Sequence, residues 1–244
     1  MTITDTKTKI ALLLAKAEGS DNEHERDAFN AQAERMMLRL GIERAELESV
    51  GESKPEDIVK QMRVWRTIYA PVMNQFACWI GDGYGDLTCL QTRFGKDRVA
   101  THIVGHESDV TEFLVLLESL NLQVWTAVKR FRKEYAAYRR CNTIHENFVA
   151  DRSFIQSFAL AVCARLKAER QEETATATPG AALVLASKQS RIDQWTQNKY
   201  PNMKEEKGRE NQWSGLGSQA GYAAGQKASL GGKAITSSRP AIGG

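Results

Sequence analysis

The sequence has 244 residues, 42% of them hydrophobic and 26% charged, which is ordinary for a globular protein of one large domain or two small ones. The net charge of +3 is too small to imply a nucleic-acid partner by itself. Met1–Asp5 is polar, and no apolar segment approaches the roughly 18 residues that a membrane span needs. We therefore expect a cytoplasmic protein with no membrane partner, whose four widely spaced cysteines are thiols.

The first 50 residues predict an N-terminal helical hairpin. Apolar residues recur at helical spacing over residues 6–18 and again from about Glu23 to Leu40, and a glycine follows each run, as is common where a helix ends. The stretch Val50–Glu56 contains a glycine and a proline and is the first plausible boundary. We therefore expect a first domain over residues 1–50 and a core domain over residues 57–200.

Between this boundary and residue 104 we expect a long helix followed by a β-hairpin. Apolar residues keep a spacing of three and four up to Ile80, which predicts one helix over residues 57–80 that Pro71 must kink or restart. The stretch Gly81–Asp86 is expected to be a glycine-rich loop between helix and strand. Leu87–Arg93 and Arg98–Val104 are rich in Thr, Val and Ile and are joined by a short turn, which predicts a β-hairpin.

Three further helices are predicted after the hairpin. The longest begins at Glu107 or Ser108 and extends to about Arg140, with Asn121 as a candidate break. Phe148–Glu173 forms the next helix, residues 174–180 form a linker, and residues 181–198 are helical by composition. The fold class is thus α+β and predominantly helical: an N-terminal helical hairpin, and a small antiparallel β-hairpin packed on long helices.

The segment from residue 201 to residue 244 is rich in glycine, alanine and lysine. One interpretation is a flexible tail. The other is a helix that packs closely through small residues, because Gly221, Gly225 and Gly232 recur at intervals of four and seven. Both interpretations stay open for residues 214–234. Disorder is expected beyond Thr236, so the tail as a whole is predicted to be partly disordered.

Two sets of segments resemble a known family. The N-terminal domain of an uncharacterised family, common in bacteria, phages and other mobile elements, is similar to Lys9–Glu18, Glu25–Met37 and Leu40–Ile42. Members often continue with a second domain of unknown function, which is similar to Val104–Val110, Arg152–Phe158 and Ala182–Leu185. The resemblance covers most of the first 200 residues. It implies an origin in a phage or mobile element, hence action in the host cell cytoplasm, and it brings no catalytic residues.

Basic residues are concentrated at the centre of the chain. Residues 124–170 carry ten bases against four acids, whereas residues 1–60 carry nine bases against thirteen acids. Over Trp125–Arg140 basic and aromatic residues are interleaved, as in segments that bind nucleic acid. On a helix the aromatic residues would face the core and the bases would lie on other faces. We expect nucleic acid or a partner protein to be bound by Lys129, Arg130, Arg132, Lys133, Arg139 and Arg140. A solvated helix, or a dock for the acidic hairpin, is the alternative.

A metal site is the weaker candidate. Two pairs of metal-binding residue types stand at four-residue spacing, His102 with His106 and Cys141 with His145. Two strand residues four apart lie about 13 Å from each other, so the histidine pair suits one ion only if the chain turns sharply at Gly105. Asp82 and Asp86 would suit a hard cation, but their spacing is not that of an EF-hand. We therefore predict no metal and no cofactor.

Three functional hypotheses follow. The leading one is a non-enzymatic phage or mobile-element protein that binds DNA, RNA or a host protein through its basic central helix. The second is a metal-dependent hydrolase or nuclease that uses His102, His106 or the two aspartates. The third is an oligomeric structural or assembly protein whose tail packs on another copy. No serine or cysteine carries a local catalytic signature, but a triad assembled in space leaves none, so catalysis stays open.

Overall fold

The computed structural model describes residues 56–95, 97–175, 179–203 and 213–230, together with nine positions before residue 40. The chain divides into two compact units, one of residues 41–228 and one of residues 1–40 with 229–244. All nine described positions before residue 40 are helical, and the Nζ atom of Lys16 lies 5.7 Å from the centroid of the Phe29 ring. The turn of the predicted hairpin lies outside the described residues.

The larger unit contains a three-stranded antiparallel sheet in the order β1–β3–β2. Its strands are β1 (Ile58–Arg66), β2 (Leu87–Arg93) and β3 (Arg98–His106). The predicted β-hairpin is therefore confirmed, with β3 extending two residues further than expected. Because β3 pairs on both sides, it is the most buried strand of the sheet.

The predicted helix over residues 57–80 is wrong for its first half, which forms β1. This strand pairs with β3 in an unbroken register from Ile58 opposite His106 to Arg66 opposite Arg98. Its apolar residues fit helical spacing, but they also lie on two faces of a strand: Trp65 is 5% exposed on the inner face, while Met62 is 56% exposed on the outer face. Pairing with β3 decides between the two periodicities, because local propensity alone does not.

The first helix of the core, α1 (Ala70–Tyr84), covers the inner face of the sheet. Pro71 lies in its first turn, where a proline removes no helical hydrogen bond. The helix contains Gly81–Tyr84, so the predicted loop is wrong for these four residues. Only Gly85, with φ of 80°, and Asp86, with φ of 51°, form the left-handed turn that leads into β2.

Between the sheet and residue 203 the described residues form four helices: α2 (Glu107–Glu134), α3 (Ala136–Arg140), α4 (Ile144–Ala175) and α5 (Pro179–Lys199). The predicted single helix to Arg140 is interrupted at Tyr135, and not at Asn121. The longest of these four is α4, with 32 residues. The core between α1, α2, α4 and the sheet is built on fully buried side chains that include Phe76, Phe113, Phe158, Ile103 and Leu117. All four cysteines are free, as expected, and Cys163 is buried.

A further helix, α6 (Gly215–Gln226), lies along α4. The helical interpretation of the tail is thus confirmed for these residues, and residues 231–244 lie outside the described part of the chain. Gly217, Gly221 and Gly225 face the backbone of α4 so closely that a Cβ atom on Gly221 would lie 2.2 Å from the carbonyl oxygen of Phe154. The guanidinium of Arg165 donates to the carbonyl oxygen of Gly225 over 3.0 Å and thereby fastens the end of α6 to α4.

Candidate functional site

The basic segment lies at the end of α2 and in α3. Two of its aromatic residues face inward as expected: Phe131 is 3% exposed and packs against Phe154, with 5.1 Å between the ring centroids, while Tyr135 is half-buried. Four of the six predicted cations are exposed, namely Lys129, Arg130, Lys133 and Arg140. The other two, Arg132 and Arg139, point to a buried carboxylate. The structure therefore divides the six candidates into two groups.

The buried carboxylate belongs to Asp151, which lies two turns into α4 and is 2% exposed. Arg139 donates from Nη1 to Oδ1 over 2.9 Å and from Nη2 to Oδ2 over 3.2 Å. Arg132 donates from Nη2 and Nε to Oδ2 over 2.9 and 3.2 Å. Two arginines from α2 and α3 thus converge on one carboxylate of α4, in the charge-assisted geometry that favours arginine over lysine.

Tyr69, just before α1, completes this cluster. Its hydroxyl donates to Oδ2 of Asp151 over 2.9 Å and accepts from Nη2 of Arg132 over 3.3 Å. Its ring stacks on Phe148 at a centroid distance of 5.0 Å and meets Trp125 edge-on at 5.6 Å. Burial, and then the charge of Asp151, raise the pKa of Tyr69 to about 12. The cluster thereby joins the start of α1 to three other helices.

The exposed cations retain a positive surplus after this pairing. Residues 124–151 carry six bases against three acids, and Asp151 neutralises only one of the two arginines that bind it. Lys129 and Lys133 stand one helical turn apart, and neither has an ion pair in the described part of the chain. Whether these cations contact a partner stays a prediction.

The four metal candidates do not come together. His102 contacts Thr92 over 3.0 Å from Nε2, whereas His106 faces Asp109 over 3.9 Å from Nδ1. Cys141 lies directly after α3 and His145 lies in the first turn of α4. Among the residues that the structure describes, no three His, Cys, Asp or Glu side chains are placed to hold a metal ion. The two β3 histidines therefore have separate surroundings.

The aspartates of Gly81–Asp86 are bound to basic residues of α4. Asp82 accepts from Nζ of Lys167 over 2.6 Å, and Asp86 pairs with Arg170 over 2.7 Å. Each ion pair thus connects the end of α1, or the turn that follows it, to α4. Both aspartates that were candidates for a hard cation are therefore paired with basic side chains of the chain itself.

Sequence reasoning missed a buried charge cluster at the start of α2. Asp109 and Lys188 are 5% and 6% exposed, and the Nζ atom of Lys188 donates to Oδ2 of Asp109 over 2.8 Å. His106 lies beside them, and burial, followed by the charge of Lys188, lowers its pKa, so its imidazole is neutral at neutral pH. The cluster connects α5 to α2. A lysine within a mostly polar helix gives no signal of such burial.

Comparisons with known proteins identify one similar family. Residues 5–44 match DUF2786, a family described as proteins of unknown function. This confirms the expected resemblance of the N-terminal segment to an uncharacterised family, over 40 of the 244 residues. No curated protein and no solved structure matches the chain. Within the described residues, the helices are all too short or too polar to cross a membrane.

Proposed function

We propose that the protein binds nucleic acid, without catalysing a reaction, through a cationic surface that we call the basic end of α2. It consists of Lys129, Arg130 and Lys133 of α2 together with Arg140, the last residue of α3. The observation that carries the proposal is the exposure of these four cations while Phe131 is buried and Trp125 and Tyr135 are half-buried. A buried Phe131 does not stack on bases, so the expected binding is to phosphates. Such contacts position a nucleic acid without selecting its sequence.

The spacing of the cations suits a backbone of closely spaced phosphates. Lys129 and Lys133 are separated by about 6 Å along the helix axis. Double-stranded DNA carries about one negative charge per 1.7 Å of its axis, so neighbouring cations can each meet a phosphate. Asp151 lies beneath this surface and leaves the net charge of residues 124–151 positive. The local field therefore favours a polyanion.

The resemblance implies a phage or other mobile element as the source, and binding would then occur in the host cell cytoplasm. A host protein with an acidic surface is the alternative partner for the same cations, and the salt dependence of binding separates the two partners.

The test is fluorescence anisotropy with labelled duplex DNA, single-stranded DNA and RNA at a series of salt concentrations. If three or four phosphates are neutralised, log K should fall with log salt at a slope of about −3 for duplex DNA. The double variant Lys129→Ala/Lys133→Ala should make this slope shallower by about 2, because each phosphate contact contributes about 0.9.

The matched control is Lys9→Ala/Lys227→Ala, which removes the same charge from two exposed lysines elsewhere. This control should change the slope by much less than the double variant. If both variants make the slope of log K against log salt shallower by the same amount, binding depends on net charge alone, and the proposal is contradicted. A host protein would be favoured if nucleic acid fails to bind and a partner associates with little sensitivity to salt.

A further inference from the structure

An open groove of about 520 Å³ lies on the outer face of the sheet, and none of its lining residues belongs to the basic end of α2. Its floor is formed by strand residues that include Lys60, Leu90 and His102. Its wall is formed by the last residue of α5 and the turn that follows, Lys199–Met203. The volume falls within the range of about 300–1,000 Å³ that small-molecule sites occupy.

The charge of the groove is positive. Two of its lining residues are lysines and none is an acid. Lys60 donates from Nζ to the hydroxyl of Tyr200 over 2.8 Å and lies 5.4 Å from the centroid of that ring. The Nζ atom of Lys199 lies 5.0 Å from the centroid of Trp195. Neither lysine has a carboxylate partner in the described ranges, so aromatic rings and not anions hold both ammonium groups.

His102 adds a neutral polar group to the floor. Its Nε2 atom contacts the hydroxyl of Thr92 over 3.0 Å, while its buried Nδ1 atom has no hydrogen-bond partner among the described residues. Burial, and then the charge of Lys60, lower the pKa of His102. The imidazole is therefore uncharged at neutral pH and can donate or accept a hydrogen bond.

The remaining lining is apolar or amide-bearing. Tyr200 is half-buried, Met203 is 52% exposed, and Leu90 lies opposite them on β2. An exposed methionine and a tyrosine ring provide the flat, polarisable surface on which a planar ring packs. The exposed amide of Asn202, another lining residue, has both donors and an acceptor. The groove thus combines two ammonium groups, a flat apolar wall and neutral polar groups.

We propose that this groove binds one nucleotide, with its phosphate between Lys60 and Lys199 and its base against Tyr200. An inorganic anion would leave the apolar wall in water, and an uncharged planar ring would leave two ammonium groups without an anion, so the phosphate and the ring belong to one ligand. The nucleotide is either free or the end of a single strand. This site uses none of the residues at the basic end of α2, so each proposal can fail while the other holds.

Calorimetric titration with the four ribonucleoside 5′-monophosphates tests the proposal, with the matching nucleosides and inorganic phosphate as separate probes. A nucleoside should bind about tenfold more weakly than its monophosphate, because it loses charge-assisted hydrogen bonds. Lys60→Met and Tyr200→Ala should each weaken the monophosphate by about tenfold, the second through loss of stacking. Lys60→Arg should retain most of the affinity, and circular dichroism checks that each variant is folded.

The control Lys129→Ala/Lys133→Ala should leave monophosphate affinity unchanged while it alters the salt dependence of duplex binding. Binding of a 5′-phosphorylated single strand that Lys60→Met and Tyr200→Ala weaken, without binding of monophosphates, would support the strand end as the ligand. The proposal is overturned if neither a monophosphate nor a 5′-phosphorylated single strand binds, or if inorganic phosphate binds as tightly as a monophosphate. It is also overturned if folded Tyr200→Ala binds these nucleotides as tightly as the native protein does.

Discussion

Replacing Asp151 with alanine removes the carboxylate on which Tyr69, Arg132 and Arg139 converge. Two guanidinium groups and a hydroxyl would then face one another without an anion. Removing one partner of a fully buried ion pair costs about 3–5 kcal/mol. The side chain of Arg132 is 39% exposed and can turn to water, so we expect a smaller loss of about 2–3 kcal/mol in the free energy of unfolding.

Urea denaturation, followed by circular dichroism, measures this loss. With a slope of about 2 kcal/mol/M, the unfolding midpoint of Asp151→Ala should fall by about 1 M. The matched control is Asp193→Ala, at an exposed position of α5, whose stability should stay within about 0.5 kcal/mol of the native protein. Asp151→Asn retains an oxygen that can accept from Tyr69. Its loss of stability should therefore lie between those of Asp193→Ala and Asp151→Ala.

Equal urea midpoints for Asp151→Ala and Asp193→Ala would contradict the expected role of the Asp151 carboxylate. That result would mean that Arg132 and Arg139 gain as much from water as from Asp151. Both arginines would then count among the cations available to a partner, and the division of the basic segment into two groups would not hold.

Three further predictions concern packing and charge elsewhere. Gly221→Ala should lower the free energy of unfolding by about 3 kcal/mol, because its Cβ atom would lie 2.2 Å from a backbone oxygen of α4. Thermal denaturation measures this loss, and Gly215→Ala, which has open space around it, should unfold like the native protein. The pKa of Tyr69, raised to about 12 from 10.0, contributes stability that is complete below about pH 10 and is lost as the pH rises towards 12; Tyr69→Phe should remove this alkaline loss from the pH dependence of unfolding. Lys188→Met leaves the carboxylate of Asp109 buried without its cation, and we expect it to lower the free energy of unfolding in urea by about 3 kcal/mol. The double variant Lys188→Met/Asp109→Asn should recover part of that loss.

Local patterns in the sequence were sufficient for the hairpin of β2 and β3 and for most of the helices. Alternation of Thr, Val and Ile around a short turn specifies both strands without reference to distant residues. The segment Ile58–Arg66 was misassigned because its apolar residues satisfy helical and strand periodicities together. It is an edge strand whose conformation depends on pairing with β3, about 40 residues later in the chain, and a pattern confined to one segment does not contain that partner.

The candidate site was predictable only in part, for the same reason. Helical spacing correctly placed Phe131 inside and Lys129 and Lys133 outside. Helical spacing did not distinguish Arg132 from its neighbours, because its acceptor, Asp151, lies on another helix. Tyr69, which binds the same carboxylate, lies 82 residues before Asp151 in the chain. The groove beside Lys60 was missed because it joins β1 to the end of α5, 140 residues later.

Asp151 connects the architecture to the proposed binding surface. The helix is interrupted at Tyr135, between α2 and α3, and Arg139 of α3 binds the same carboxylate as Arg132. This pairing uses the inward cations of the segment for folding, so the outward cations are presented on a helix whose position is held by a buried ion cluster. A polyanion that meets Lys129 and Lys133 therefore binds a surface that is already ordered, and the entropy of arranging the two helices is lost on folding and not on binding.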